Sequence, residues 1–87
     1  MKPRRSIYET LWEILRCCRE PKRFTQIIQE CNLNTIKAKK YLDLLLKKKL
    51  LEKKGSYFMT TSKGEEYIDL FNKLYERIFD KPRNLFL

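Results

Sequence analysis

Apolar residues recur along most of the chain at intervals of three and four, which is the spacing of an amphipathic helix. The helices that this spacing predicts cover residues 6–19, 25–31, 34–48 and 62–80. Between the last two, residues 50–54 and 57–60 are short β-prone runs on either side of Gly55-Ser56, and they predict a hairpin. The predicted order is therefore helix, helix, tight turn, helix, hairpin and helix, a mainly α fold with a small β-hairpin.

Residues that favour helix ends lie at the predicted boundaries. Ser6 is a good N-cap, and Glu9 follows three residues later as a capping box requires. Pro21 ends the first helix, because the residue before a proline avoids helical backbone angles. Asn34 or Thr35 can cap the third helix as Ser6 caps the first. The predicted order of elements consequently depends on caps as well as on periodicity.

The third predicted helix has an apolar side and a basic side. Its apolar residues recur at spacings of three and four and are Ala38, Tyr41, Leu42 and Leu45. The rest of its circumference is rich in lysine. This pattern predicts a helix that packs on the core with one side and presents positive charge with the other.

The net charge of +9 is concentrated in the first two thirds of the chain. Residues 1–31 carry seven basic and four acidic side chains, and residues 32–56 carry eight lysines against two carboxylates. Residues 57–87 are balanced, with five of each sign. A basic stretch beside a neutral one is typical of a domain that binds a polyanion with one face.

The chain lacks the residue types on which most metal and catalytic sites depend. It contains no histidine, so the usual general base near neutral pH is absent, and its two glycines form no phosphate-binding loop. The cysteines at positions 17, 18 and 31 include no CxxC pair, and they favour an interpretation as thiols on helix faces. We therefore expect no metal, no cofactor, no small-molecule ligand and no enzymatic activity.

A series of short motifs runs through the middle of the chain. In order, they are Lys40-Tyr41-Leu42-Asp43-Leu44-Leu45, Leu50-Leu51-Glu52 and Thr60-Thr61-Ser62-Lys63-Gly64. This series resembles the pattern of small archaeal transcriptional regulators of the winged helix-turn-helix type, some of which are encoded by archaeal viruses and plasmids. The resemblance extends over residues 5–79 and departs from the family at Lys49, where glycine is usual.

The resemblance implies a winged helix-turn-helix fold with a long C-terminal helix, in one DNA-binding domain over residues 1–87. The expected parts are a basic arm (1–5), the winged-helix body (6–61), the C-terminal helix (62–80) and a tail (81–87).

In a helix-turn-helix the third helix enters the major groove, and the family's hairpin is a wing that reaches the adjacent groove or its phosphates. The residues expected to contact DNA are Thr35, Ile36, Lys37, Lys39, Lys40 and Lys47 on the third helix, Lys53 and Lys54 on the wing, Arg4 and Arg5 on the arm, and Lys22 and Arg23 where the second helix begins. The alternative is that these charges form a solvated face, and that the wing lysines prevent sheet-to-sheet aggregation.

The last predicted helix has apolar positions on more than one side, which is more than a body of this size can cover. The residues expected at a dimer interface are Tyr67, Phe71, Leu74, Tyr75, Ile78 and Phe79. An isologous pairing of two such helices would bury them. The alternative is that the helix folds only onto the first helix of its own chain.

The sequence thus favours a dimeric transcriptional regulator, with double-stranded DNA and a second copy of itself as partners. The alternatives are a weakly sequence-specific DNA-coating protein and a protein-interaction module. No apolar run approaches the roughly 20 residues that cross a bilayer, so no membrane partner is expected. We expect a cytoplasmic protein that is nucleoid-associated when it is bound to DNA.

Overall fold

The computed structural model describes the backbone of residues 6–79 and the side chains of residues 6–76. Its elements are α1 (Ile7–Cys17), β1 (Lys22–Arg23), α2 (Phe24–Cys31), α3 (Thr35–Lys47), β2 (Leu51–Lys54), β3 (Tyr57–Thr60) and α4 (Ser62–Phe79). This order confirms the predicted mainly α fold with a small hairpin, and the predicted helix ends lie within two residues of the observed ones. The strand β1 was not predicted.

The three strands form one antiparallel sheet in the order β1-β3-β2. In the hairpin, Lys54 lies opposite Tyr57, so that only Gly55 and Ser56 form the turn. Gly55 has a φ of +60°, as the first central residue of a type II′ turn requires. On the far side of β3, Lys22 pairs with Phe58 and Arg23 with Tyr57. The segment before α2 therefore hydrogen-bonds to the wing.

All four helices contribute to the core. The side chains of Ile14, Leu15, Ile27, Leu45 and Ile68 are fully buried. The wing joins this core through Thr60, whose backbone N–H donates to Cys18 O at 2.9 Å and whose hydroxyl donates to Leu15 O at 2.6 Å. Carbonyls that the end of α1 would otherwise leave unpaired are thus satisfied by β3.

The end of α3 adopts the cap geometry that glycine usually provides. Lys49 has a φ of +63°, in the left-handed region. The Leu50 N–H donates to Leu45 O at 2.9 Å, and the Lys49 N–H donates to Leu46 O at 3.0 Å, which is the Schellman pattern. The lysine that departs from the family pattern therefore keeps the geometry at a cost in backbone strain.

The motif Thr61-Ser62-Lys63-Gly64 joins the end of α3 to the start of α4. The Thr61 N–H donates to Leu50 O at 3.0 Å, and the Thr61 hydroxyl oxygen accepts from the Gly64 N–H at 3.0 Å. A Cβ on Gly64 would collide with the Leu50 carbonyl and lie 2.6 Å from Thr60 Cγ2. Only glycine at position 64 therefore allows α4 to pass this close to the backbone of Leu50, immediately before β2.

The long helix α4 packs against α1 through one aromatic cluster. The Trp12 indole N–H donates to Asn72 Oδ1 at 3.0 Å. Its ring stacks on Phe71 with centroids 5.0 Å apart, and on Tyr75 at 6.4 Å. Within residues 6–79, no helix combines the length and the apolar content needed to cross a membrane.

Candidate nucleic-acid interface

The turn between α2 and α3 holds the start of α3 in a fixed position. Asn32 is left-handed, with a φ of 54°, and the buried Leu33 donates its N–H to Ile28 O at 3.0 Å. Asn34 then caps α3, since its side-chain oxygen accepts from the Lys37 N–H at 2.8 Å. The first turn of α3 is therefore anchored at its base while its outer side remains open to solvent.

The outer side of α3 carries the residues expected there. Ala38, Leu42 and Leu45 point into the core. The residues expected to contact DNA are all exposed, and Asp43 is exposed beside them; the expected residues are Thr35, Ile36, Lys37, Lys39, Lys40 and Lys47. Among the residues that the structure describes, no carboxylate forms an ion pair with these four lysines. Their positive charge is consequently available to an external anion.

The wing adds two more exposed lysines next to this face. Lys53 and Lys54 are at the end of β2, immediately before Gly55. The Lys53 ammonium lies 5.4 Å from the centroid of the Phe58 ring, and a groove of about 290 Å³ runs between this part of the wing and the Lys39 side of α3. The wing and α3 thus present a lysine on each side of one groove, which Asp43 also lines.

The structure places Lys22 and Arg23 in β1, immediately before α2, and gives both side chains partners within the protein. The Lys22 ammonium lies 3.3 Å from Glu30 Oε1, and this hydrogen-bonded carboxylate raises the pKa of Lys22. The Arg23 guanidinium lies 5.3 Å from the centroid of the Tyr57 ring and donates to the Tyr57 hydroxyl at 3.1 Å. Arg23 remains exposed, whereas the Lys22 side chain is only 17% exposed.

Tyr57 is a residue that the sequence interpretation missed at this face. Tyr57 is 39% exposed, and its ring contacts the Arg23 guanidinium beside the wing lysines. The contact depends on the pairing of β1 with β3, which joins residues 34 positions apart. No local pattern in the sequence indicates such a pairing. Arg4 and Arg5, by contrast, lie outside the described residues.

The residues expected at a dimer interface divide into two groups. Tyr67 and Phe71 are half-buried between α4 and α1 of the same chain, and Tyr75 stacks on Trp12 while remaining 41% exposed. Leu74 is 55% exposed and shares an apolar groove of about 360 Å³ with Leu70 and Tyr8. The side chains of residues 78 and 79 lie outside the described part. Packing within one chain thus covers part of the predicted interface and leaves another part in solvent.

The three cysteines lie where α1 and α2 end. Burial raises the pKa of Cys18 to about 12. Burial and a hydrogen bond from the thiol to Glu30 Oε1, at 3.1 Å, raise the pKa of Cys17 well above its ordinary value. Cys31 is buried in the core. The environments of Cys17 and Cys18 favour neutral thiols. In the described part of the chain, no group of three or more His, Cys, Asp or Glu residues is arranged to hold a metal ion.

Comparisons with known proteins agree with this geometry. A family model described as winged helix-turn-helix matches residues 4–79. Among solved structures, the chain is similar to the crystal structure of Sso10a-2, a DNA-binding protein from Sulfolobus solfataricus. The two are 27% identical over 93% of each chain, with a TM-score of 0.71. No curated protein matches the chain.

Proposed function

Because the chain belongs to the winged helix-turn-helix family, we propose that it is a DNA-binding transcriptional regulator that acts as a dimer. The observation that carries this proposal is the basic outer side of α3, whose lysines have no ion-pair partner among the side chains of residues 6–76. A DNA-binding protein of similar structure supports it. In this proposal the N-terminal half of α3 enters the major groove.

Lys37 and Lys40 are the central residues of the proposed contact. They are three positions apart on a helix whose start is anchored by Asn34, so both project from the same exposed stripe. A lysine ammonium can donate to guanine O6 and N7 or to a nearby phosphate. Thr35, Lys39 and Lys47 flank this stripe and are assigned to phosphates.

The wing and the strand β1 supply the proposed contacts next to the major groove. Lys53 and Lys54 are assigned to the adjacent groove or its phosphates, together with Arg23, which the Tyr57 ring supports. Arg4 and Arg5 are assigned to the backbone as a basic arm. Of these residues, Lys22 is expected to contribute least to phosphate binding, because Glu30 already neutralises its ammonium.

Dimerisation through α4 completes the proposal. Leu70 and Leu74 lie one helical turn apart and are both more than half exposed. Packing against a second copy of α4 about a two-fold axis would remove them from water, with Tyr75 at the edge. Two recognition helices would then read two half-sites about one turn of DNA apart.

One observation favours a second candidate function. A net charge of +9 on 87 residues is large enough to bind DNA by phosphate neutralisation alone. The protein would then coat DNA with little sequence preference. A third candidate, a protein-interaction module, uses the same fold without DNA.

A binding titration distinguishes these functions. The protein is titrated with random-sequence DNA and with a pool selected for binding, at two salt concentrations, beside the Lys37→Ala, Lys40→Ala variant. We expect a preference for the selected pool that the variant loses, because its two lysines contact base edges. A Lys73→Ala variant removes a lysine from an exposed position of α4 and should keep the preference.

The other outcomes assign the protein differently. Salt-sensitive binding without enrichment of any sequence indicates the coating protein. Absence of binding even at low salt contradicts both DNA functions and leaves the protein-interaction module.

A further inference from the structure

Ile36 is the most exposed large apolar side chain among residues 6–76, at 79% of its full exposure. It is the second residue of α3, one turn before Lys40 on the same side of the helix. The core residues of α3 are on the opposite side, so Ile36 has no part in the packing of its own chain. A single exposed isoleucine is common on protein surfaces, so the observation that points to a role is its position at the start of α3, among exposed lysines.

The charges around Ile36 restrict which partner can cover it. Lys37, Lys39 and Lys40 surround it, all exposed. A second α3 packed on the same face would bring lysines against lysines, which is unfavourable. The surface that covers Ile36 therefore has to combine negative charge with an apolar group at the level of the helix surface.

Duplex DNA offers one such combination in its major groove. The base edges there present donors, acceptors and a single apolar group, which is the C5-methyl of thymine. Phosphates on either side of the groove supply the negative charge that the lysines require. Building on the proposed function, we propose that Ile36 is a specificity-determining residue that contacts thymine methyl groups while the neighbouring lysines contact phosphates or guanine.

The local structure suits this role. The capping bond from the Lys37 N–H to Asn34 fixes the backbone on both sides of Ile36. Isoleucine is branched at Cβ, which restricts its first side-chain torsion in a helix. Little conformational freedom is therefore lost when the side chain meets a methyl group, and thymine is distinguished from cytosine by shape.

The test replaces thymine by deoxyuridine, which lacks only the methyl group. A duplex from the selected pool is prepared with thymine or with deoxyuridine, and the Kd of each is measured by fluorescence anisotropy. We expect the wild-type protein to bind the deoxyuridine duplex about fourfold more weakly for each contacted thymine, the cost of one methyl left unburied. The Ile36→Ala variant should bind the two duplexes equally.

A matched control separates this contact from a general loss of affinity. Lys47→Ala, at an exposed position later in α3, should weaken binding to both duplexes and keep their ratio. Equal binding of the two duplexes by the wild-type protein overturns the role of Ile36 but leaves the proposed function intact. If the Ile36→Ala variant keeps the wild-type ratio of the two Kd values, the role of Ile36 is also overturned, because another residue then contacts the methyl group.

Two further outcomes also contradict the inference. If the wild-type protein binds neither duplex at low salt, the proposed function fails and the role of Ile36 fails with it. If Ile36→Ala instead loses binding to vesicles of anionic lipid, while DNA binding shows no methyl dependence, a membrane surface is the partner of this side chain.

Discussion

Lys49 ends α3 in a backbone conformation that lysine does not favour. Its φ of +63° lies in the region that L-residues other than asparagine and aspartate rarely adopt. The two Schellman hydrogen bonds at the end of α3 and the burial of Leu51 in the next strand maintain this conformation. The strain is thus stored at the junction between the proposed recognition helix and the wing.

The Lys49→Gly substitution should therefore stabilise the protein. Glycine adopts this φ without steric cost, and we expect a gain of about 1 kcal/mol in the free energy of unfolding, after allowance for its greater freedom in the unfolded chain. Urea denaturation followed by circular dichroism measures the change. The control is Lys48→Gly, where the φ of −84° gives glycine no advantage and stability should fall. A loss of stability in Lys49→Gly would contradict the strained geometry.

At the scale of elements, the joint between β2, β3 and α4 depends on Gly64. The Leu50 carbonyl accepts from Thr61, and the first turn of α4 passes so close to this carbonyl that a methyl group has no space. Both contacting atoms belong to backbone or to a packed threonine, so neither can move cheaply. Position 64 of the motif therefore requires glycine for a steric reason.

Gly64→Ala should destabilise the protein by about 1–3 kcal/mol, although alanine is the better helix former. The reason is that α4 must shift away from Leu50 to admit the methyl group. Thermal or urea denaturation measures this loss, with Glu66→Ala, an exposed position two residues later, expected to change stability by less than about 0.5 kcal/mol. Unchanged or increased stability in Gly64→Ala would mean that α4 does not approach Leu50 so closely.

Local patterns in the sequence predicted the elements but not their mutual contacts. Periodicity and capping residues such as Ser6 and Asn34 act within one turn, and the structure confirms both caps. The strand β1 has only two residues, so no alternation is visible in it, and it exists because β3 offers a free edge. The apolar seam of α4 was likewise visible, but the side of α4 that faces α1 depends on contacts between residues far apart in sequence, such as those of Trp12 with Phe71 and Asn72.

At the scale of the whole molecule, the basic surface and the exposed leucines lie on different elements. Positive charge covers α3 and the wing, whereas the exposed leucines lie on α4, which packs against α1 through Trp12. In the proposed dimer, this separation would leave α3 and the wing accessible to DNA while α4 packs against a second copy.

The proposed dimer predicts a defined result in sedimentation equilibrium. The wild-type protein should have twice the mass of the 10.7 kDa chain at tens of micromolar. Leu70→Ser with Leu74→Ser should reduce the mass to that of one chain, because both leucines lose the apolar surface that a partner would cover. Lys73→Ser, between them in sequence, serves as the control. A wild-type protein that sediments as a single chain would contradict the dimer.

The contact between Trp12 and Asn72 also makes the protein its own optical reporter. Trp12 is the single tryptophan of the chain, and its ring lies against Phe71 on α4, with the Arg16 guanidinium 4.7 Å from its centroid. Emission excited at the red edge of the absorption band therefore originates entirely from the α1–α4 junction and not from the surface of α3. A spectral change during a DNA titration would locate a rearrangement in this remote junction, whereas an unchanged spectrum would mean that DNA binding leaves the surroundings of Trp12 as they are.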